Sequence, residues 1–177
     1  MRGYFAIGVE RISKQLNLGN LVRSSHGFGA SFVFTIGAAY SEDEAHADTS
    51  RATAHLPLYH WETPSDLNLP ESCRLVGVEL LDDAIELPSF RHPLCAAYVL
   101  GPERGSLSGE IVEKCDYVIK IPTAFCVNVA MAGAIVMYDR ITSLGHYPPR
   151  PVMEGGPRED LPPHVHGERF TRTQSGD

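Results

Sequence analysis

The segment Asp116–Arg140 constrains the fold more than any other part of the sequence. It opens with a β-rich apolar run, Tyr117–Ile121, and Pro122 ends that run. Apolar residues then recur at helical spacing for about five turns, starting near Cys126 or Val127. The other side of this helix is also non-polar, so we expect the helix to be buried on nearly all sides.

The start and surface of this helix indicate two further properties. Asn128 is the only polar side chain near its beginning, and an amide there either caps the helix or holds something specific. Small residues let a second backbone approach closely, and they cluster at Ala130, Ala132, Gly133 and Ala134. A thin layer of sheet and helices cannot easily cover both sides of such a helix. We therefore expect a homodimer with the segment Asn128–Tyr138 near its centre.

Composition describes an ordinary globular chain. Its 177 residues, with 43% hydrophobic and 21% charged, suffice for one domain with a proper core. No apolar run reaches the length of a membrane span, and Met1–Gln15 lacks the apolar segment of a cleavable signal. The cysteines are far apart and form no C-x-x-C pair, which predicts reduced thiols in the cytoplasm.

Charge weakens a nucleic-acid interpretation without excluding it. The formal net charge is -7, whereas nucleic-acid-binding domains are usually basic. However, the acids cluster in residues 42–48 and 79–86, and most of the cations are arginines, whose fork suits phosphate.

Strands alternate with helices along the chain. Strand patterns occupy residues 4–9, 31–36, 57–61, 74–80, 96–100 and 117–121. After the turn Asn17–Asn20 a helix runs to about His26, where Gly27 and Gly29 end it, and a second helix covers Ser108–Cys115. This order predicts an α/β fold with a mostly parallel six-stranded sheet and helices on both faces. Residues 37–55 are predicted to form a long mobile loop.

A change in composition near the carboxyl terminus predicts a domain boundary. Residues 1–145 carry all the predicted elements and form one domain, whereas residues 146–177 are rich in proline, glycine and charge. We expect this second part to be a flexible tail.

Unusual residues follow three of the predicted strands. They lie in Asn17–Arg23, Gly101–Gly105 and Ile121–Asn128, and ligands of parallel sheets bind at such carboxyl ends. The glycine-rich loop matches neither phosphate-binding fingerprint, and the carboxylate of Glu103 better suits hydroxyls, amides or a cation. His164-x-His166 lacks partner ligands, so no metal site is expected.

Together the three segments resemble the motifs of the SpoU/TrmH branch of SPOUT RNA ribose methyltransferases. Asn17-x-Gly19-x-x-x-Arg23 resembles the first motif, Gly101-x-Glu103 with Gly105 the second, and Ile121-Pro122 with Asn128 the third. Three departures stand out. One residue separates Glu103 from Gly105 where the family has two, and the short Thr123-Ala124-Phe125 stands where the family has a longer loop. Cys126 stands where the family has serine.

The resemblance implies S-adenosylmethionine as cofactor, bound in a deep C-terminal trefoil knot. The implied cofactor-binding residues are Leu80, Gly101, Ile121, Cys126 and Val127. The implied catalytic residues are Arg23, Asn17, Glu103 and Asn128. Arg23 would clamp RNA phosphate and stabilise the alkoxide, because its pKa is too high for a base.

The implied reaction methylates a ribose 2′-hydroxyl of RNA. tRNA is favoured over rRNA, because no RNA-binding domain precedes residue 4 and the chain has the size of minimal tRNA-modifying members. Two alternatives stay open. One is a non-catalytic RNA-binding relative with altered motifs. The other is a nucleotide-binding oxidoreductase, which lacks its glycine fingerprint here.

Overall fold

A seven-stranded parallel sheet forms the centre of the computed structural model, which describes residues 3–39, 56–148, 150 and 155. The strands are Tyr4–Glu10 (β1), Phe32–Ile36 (β2), Leu58–Trp61 (β3), Arg74–Val78 (β4), Ile85–Glu86 (β5), Cys95–Leu100 (β6) and Tyr117–Lys120 (β7). Their order in the sheet is β3-β2-β1-β6-β4-β7-β5, and all neighbours run parallel. The predicted α/β class and parallel sheet are confirmed.

The predicted number of six strands is wrong, because the sequence gives no signal for β5. This strand has two residues, Ile85 and Glu86, both exposed, so neither alternation nor an apolar run marks it. It adds to the sheet edge through β7. A short 3₁₀ turn, Leu87–Ser89, follows it directly, and another covers Pro64–Asp66.

Three α-helices are present in the described residues: Gln15–Phe28 (α1), Gly109–Lys114 (α2) and Val129–Leu144 (α3). The predicted turn at Asn17–Asn20 is wrong, because α1 begins before it. The Asn17 side chain is bonded to other segments rather than to its own backbone, so it does not interrupt the helix. Gly29 ends α1 in the left-handed region at φ 76°, as predicted. The predicted end at Gly27 is wrong, because Gly27 lies within the helix, which continues to Phe28.

Helices cover the two faces of the sheet unequally. One face carries α1 and α3, and its core includes Ile7, Leu21 and Val136. The other face carries α2, with Leu107 and Ile111 against Val99. The alternation along β1, where Ala6 and Ile7 belong to different clusters, separates the two cores.

Gly133 explains part of the small-residue cluster in α3. A Cβ atom added there would lie 2.5 Å from Leu21 Cδ1 and 3.2 Å from Ile7 Cδ1. The missing side chain thus lets α3 approach both α1 and the sheet. At this position the small residue serves contacts within the chain, where a contact between chains had been predicted.

The predicted burial of α3 on nearly all sides does not hold within one chain. Met131 is 58% exposed and Tyr138 is 55% exposed, while Ala134 and Ile135 between them are half-buried. These positions recur at helical spacing, so they form one apolar stripe along the outer side of the helix.

The far end of α3 is anchored at the amino edge of the sheet. Arg140 is 4% exposed, and its guanidinium donates to the carbonyl oxygens of Pro93 and Leu94, both at 2.6 Å. Beside it the His92 ring contacts the Tyr98 hydroxyl at 2.6 Å and Asp139 Oδ2 at 2.8 Å. This buried polar cluster fixes the direction of the helix.

The first of the two predicted domains comprises residues 1–145, and the predicted division after Gly145 stays a prediction. All the helices and strands named above belong to the first. From residue 40 onward the predicted loop 37–55 lies outside the described residues, and so does nearly all of the predicted tail.

Candidate functional site

A cavity of about 310 Å³ opens at the carboxyl ends of β4, β6 and β7. These strands are neighbours in the sheet, so the loops that leave them meet at one place, as expected for a parallel sheet. The starts of α1 and α3 close the remaining sides. The cavity is lined by Lys14, Asn17, Val78, Glu79, Leu80, Leu100, Gly101, Pro102, Glu103, Gly105, Ile121, Thr123, Cys126, Val127, Asn128, Val129 and Ala132.

Glu103 ties the loop after β6 to the start of α1. Its Oε2 accepts from the Ser13 amide and hydroxyl, both at 3.1 Å, and its Oε1 accepts from the Lys14 amide and from Asn17 Nδ2, both at 3.0 Å. Partial burial acts to raise the pKa of Glu103, but the hydrogen bonds from Asn17 and Ser13 outweigh it and lower that pKa below its usual value. The carboxylate is therefore a fixed structural acceptor.

Asn17 extends this connection to α3. Its Oδ1 accepts from Asn128 Nδ2 at 3.0 Å, while Asn128 Oδ1 accepts from the Ala130 and Met131 amides at 3.0 and 3.3 Å. Asn128 is thus the N-cap of α3 and also holds a specific partner, so both roles suggested by its sequence position are present. The two side-chain hydrogen bonds that link Glu103, Asn17 and Asn128, called here the relay Glu103–Asn17–Asn128, join all three motif segments.

Two carboxylates hold the chain after the glycine-rich loop. Glu79 Oε2 accepts from the Leu107 amide at 2.7 Å, and its Oε1 accepts from the Leu80 amide at 2.9 Å. The 2%-exposed Glu10 accepts from the Ser108 amide at 2.7 Å. At Gly101 an added Cβ would lie 3.1 Å from Glu79 Oε2, so glycine is needed for the close approach.

All five residues predicted to bind the cofactor line the cavity: Leu80, Gly101, Ile121, Cys126 and Val127. Asn17, Glu103 and Asn128 line it too. Arg23 is not among the lining residues. It lies on the exposed side of α1, six residues after Asn17 and therefore about 9 Å along the helix.

Sequence reasoning missed Lys14, Glu79 and Thr123, which also line the cavity. Glu79 had a usable signal, since it is a charged residue directly after a buried strand. Lys14 and Thr123 stand in short connections whose direction the sequence does not indicate.

Two other site classes find no support in the part of the chain that the structure describes. No group of three His, Cys, Asp or Glu side chains there could hold a metal ion. No helix there is both long and apolar enough to cross a membrane. His164-x-His166, where no metal site was expected, lies outside the described residues.

A profile of the SpoU rRNA Methylase family matches residues 4–138, which include all three motif segments and the whole relay. This chain belongs to the SpoU rRNA methylase family. The match covers the parallel sheet and most of α3.

A curated relative is the tRNA (guanosine(18)-2'-O)-methyltransferase TARBP1 of Mus musculus. It is 26% identical over 138 residues, which are 72% of this chain but 9% of that protein. The chain thus spans less than a tenth of this relative's length.

Solved structures share the fold. The SpoU methyltransferase AviRb from Streptomyces viridochromogenes, in complex with the cofactor AdoMet, has a TM-score of 0.70 at 22% identity. That likeness covers 80% of this chain and 58% of AviRb. A second structure, reported as giving insights into the 2-OH methylation of C/U34 on tRNA, has a TM-score of 0.68 at 19% identity. The likeness covers 80% of this chain and 97% of the chain in that structure.

Proposed function

We propose that this chain transfers the methyl group of S-adenosylmethionine to a ribose 2′-hydroxyl of RNA, with tRNA favoured over rRNA. The relay Glu103–Asn17–Asn128 carries the proposal, because it assembles the three motif segments around one cavity. Membership of the SpoU family supports RNA methylation. The tRNA preference is supported by the named activities of the TARBP1 relative and of the C/U34 structure.

The cavity fits the adenosine part of this cofactor. Apolar side chains of Leu80, Ile121 and Val127 line it, and the polar residues Asn17, Thr123 and Asn128 lie among them. At Gly101 a Cβ atom would lie close to Glu79 and Leu107, so glycine leaves room there. A pocket that combines apolar side chains with polar groups suits a nucleoside. The cofactor supplies an electrophilic methyl group on a sulfonium sulfur.

The residues of the chain would position the reactants. Asn17 and Asn128, fixed by the relay, would orient the nucleotide at the cavity mouth, and Glu103 would brace the two loops. Holding two reactants in a fixed geometry is worth roughly 7–11 kcal/mol. Arg23 would bind an RNA phosphate and stabilise the oxyanion that forms as the 2′-hydroxyl loses its proton.

The exposed position of Arg23 supports a homodimer as the working unit. Arg23 lies on the outer side of α1, which packs beside α3 and its exposed apolar stripe. Pairing through this surface would bring Arg23 of one copy toward the cavity of the other. We extend the proposal to a C-terminal trefoil knot, which the insertion of β7 between β4 and β5 supports, and to the cytoplasm, which the four free cysteines support.

The intact relay favours this enzyme over a non-catalytic relative. Shortening the segment between Glu103 and Gly105 could have displaced the carboxylate, but Glu103 retains four hydrogen bonds to Ser13, Lys14 and Asn17 at the start of α1. Cys126 lines the cavity beside Val127 without taking part in the relay. The departures from the motif therefore leave its central contacts in place.

Calorimetric titration paired with a methyl-transfer assay tests the proposal. S-adenosylmethionine and S-adenosylhomocysteine should bind and NAD should not, and total tRNA should accept label at ribose 2′-oxygens. Cofactor binding without transfer to tRNA or rRNA would identify a non-catalytic relative. Tight NAD binding would reject methyl transfer from S-adenosylmethionine and favour a nucleotide-binding oxidoreductase.

A further inference from the structure

Among the described residues, three charged ones line the cavity: Lys14, Glu79 and Glu103. The ammonium group of Lys14 belongs to an exposed residue, so water screens its charge strongly. The two carboxylates belong to half-buried residues and act on a ligand through a lower effective dielectric constant. The hydrogen-bond donors around the two carboxylates differ, and they determine how much of each negative charge acts on a bound ligand.

The charge of Glu103 is largely compensated. Its four donors include the Ser13 and Lys14 amides, which stand at the start of α1, where the helix dipole is positive. Because both oxygens are saturated by this positive end, little of the negative charge is left to act inside the cavity.

Glu79 has fewer donors and none from a long helix. Among the described residues, its oxygens accept only the Leu80 and Leu107 amides, at 2.9 and 2.7 Å. Gly101 has no Cβ, which would lie 3.1 Å from Glu79 Oε2, so the backbone of the glycine-rich loop approaches this carboxylate closely. Glu79 is therefore the main source of negative potential in the cavity.

We infer that Glu79 is a specificity-determining residue, which makes the cavity favour the cationic methyl donor over its product. S-adenosylmethionine and S-adenosylhomocysteine differ by one methyl group and by one positive charge at sulfur. A fixed carboxylate in the cavity attracts the first more strongly, so donor binding and product release are both promoted. This inference rests on the placement of the cofactor in the cavity, which was proposed above.

The test measures the ratio of two affinities, which needs neither RNA nor turnover. S-adenosylmethionine, S-adenosylhomocysteine and sinefungin, whose amine is cationic, are titrated calorimetrically into wild type, Glu79→Gln and Glu79→Asp. In Glu79→Gln the preference for both cationic ligands over S-adenosylhomocysteine should fall on the order of tenfold. Glu79→Asp retains the charge and should retain the preference, even where all three bind more weakly.

A matched control removes the same charge elsewhere. Glu113 is exposed on α2 and does not line the cavity, so Glu113→Gln should leave the ratio unchanged. Equal weakening of all three ligands in Glu79→Gln would overturn the inference, because it would show that Glu79 only holds Leu107.

Gly101→Val separates this outcome from a failure of the proposed cofactor site. If the cofactor occupies the cavity, Gly101→Val should strongly weaken or abolish binding of all three ligands, since it adds three carbon atoms to a residue that lines the cavity. If Gly101→Val loses binding while Glu79→Gln keeps the wild-type ratio of affinities for the cationic ligands and S-adenosylhomocysteine, only the proposed role of Glu79 is wrong. Full binding by Gly101→Val defeats the placement and the inference together.

Discussion

At the scale of single residues, Asn17 holds the candidate site together. Its amide nitrogen donates to Glu103 and its amide oxygen accepts from Asn128, so both ends of one small group are used. Only a carboxamide offers a donor and an acceptor in this arrangement, since aspartate would place a second carboxylate against Glu103. The identity of this residue is therefore fixed by its two neighbours.

Arg23 carries the sharpest residue-level prediction. Arg23→Ala should leave the affinity for S-adenosylmethionine nearly unchanged, because Arg23 does not line the cavity. Methyl transfer should fall by at least about a hundredfold, since loss of one transition-state donor typically costs about 2.7–4 kcal/mol. Arg23→Lys should restore little, because a point charge cannot reproduce the bidentate fork. Calorimetry and transfer to tRNA measure the two effects separately.

The control for Arg23 is Arg91→Ala, which removes another exposed arginine distant in sequence from the motifs. It should transfer methyl groups at the wild-type rate. Wild-type turnover by Arg23→Ala would remove Arg23 from the reaction, and an equal loss in both variants would point to overall charge instead.

The residues of the site divide by how far the sequence could identify them. Gly101, Glu103 and Asn128 were found because they stand in short motifs with fixed spacing. The partner of Glu103 at Asn17 is 86 residues away, and that of Glu79 at Leu107 is 28 residues away. Such contacts depend on which strands are neighbours, which no local pattern encodes. Glu79 was overlooked for that reason, and also because the predicted strand 74–80 enclosed it, whereas β4 ends at Val78.

At the scale of elements, the anchored end of α3 shows how a buried histidine affects stability. Burial lowers the pKa of His92, and its hydrogen bond to Asp139 offsets this only in part. The folded protein therefore favours the neutral ring, with Nε2–H donating to Asp139 and Nδ1 accepting from Tyr98. Protonation would place an imidazolium among groups that already include the Arg140 guanidinium.

The pH dependence of stability follows from this shift. Since the pKa of His92 is lower in the folded state, the unfolded state binds more protons as the pH falls below about 6.5. The free energy of unfolding should thus be highest above that pH and fall below it, by up to about 1.4 kcal/mol per pH unit from this residue. Urea unfolding of wild type and His92→Gln at pH 7.5 and 5.5 measures the slope.

His92→Gln should be less stable at pH 7.5 yet lose less stability on acidification. The exposed His146 supplies the control, and His146→Gln should keep the wild-type slope. An unchanged slope in His92→Gln would assign the acid sensitivity to other groups.

Element boundaries were predicted where caps are written in the sequence. Gly29 ends α1. Asn128 caps α3, whose first residue, Val129, comes two or three positions after the predicted start at Val127 or Cys126. The error arose because Cys126 and Val127 continue the apolar pattern, whereas the cap of Asn128 fixes the first turn. At β5, two exposed residues form a strand only because the edge of β7 is available.

At the scale of the whole molecule, the parallel sheet was predictable and its strand order was not. Alternating elements determine the class, but β7 lies between β4 and β5, both earlier in the chain. Sequential strands usually become neighbours, so general rules disfavour this insertion. The order nevertheless creates the site, because it makes β6, β4 and β7 adjacent and brings their three loops together.

The outer stripe of α3 leads to the prediction for the assembly. Met131, Ala134, Ile135 and Tyr138 form an apolar surface that the described chain covers only in part, with Met131 58% and Tyr138 55% exposed. In a two-fold dimer any substitution is repeated on both sides of the interface. Met131→Glu would thus place two carboxylates in a dry contact, while the single chain tolerates the exposed position. Light scattering should report about twice the 19.4 kDa chain mass for wild type and a folded monomer for the variant.

Activity connects this assembly to the reaction. If Arg23 of one copy serves the cavity of the other, the Met131→Glu monomer should still bind S-adenosylmethionine but lose methyl transfer. Leu94→Glu is the matched control, because Leu94 is 55% exposed and directly precedes β6, outside α3. It should remain dimeric and active. A Met131→Glu monomer with full transfer to tRNA would show that one chain contains the complete site, and a native monomer would refute the dimer itself.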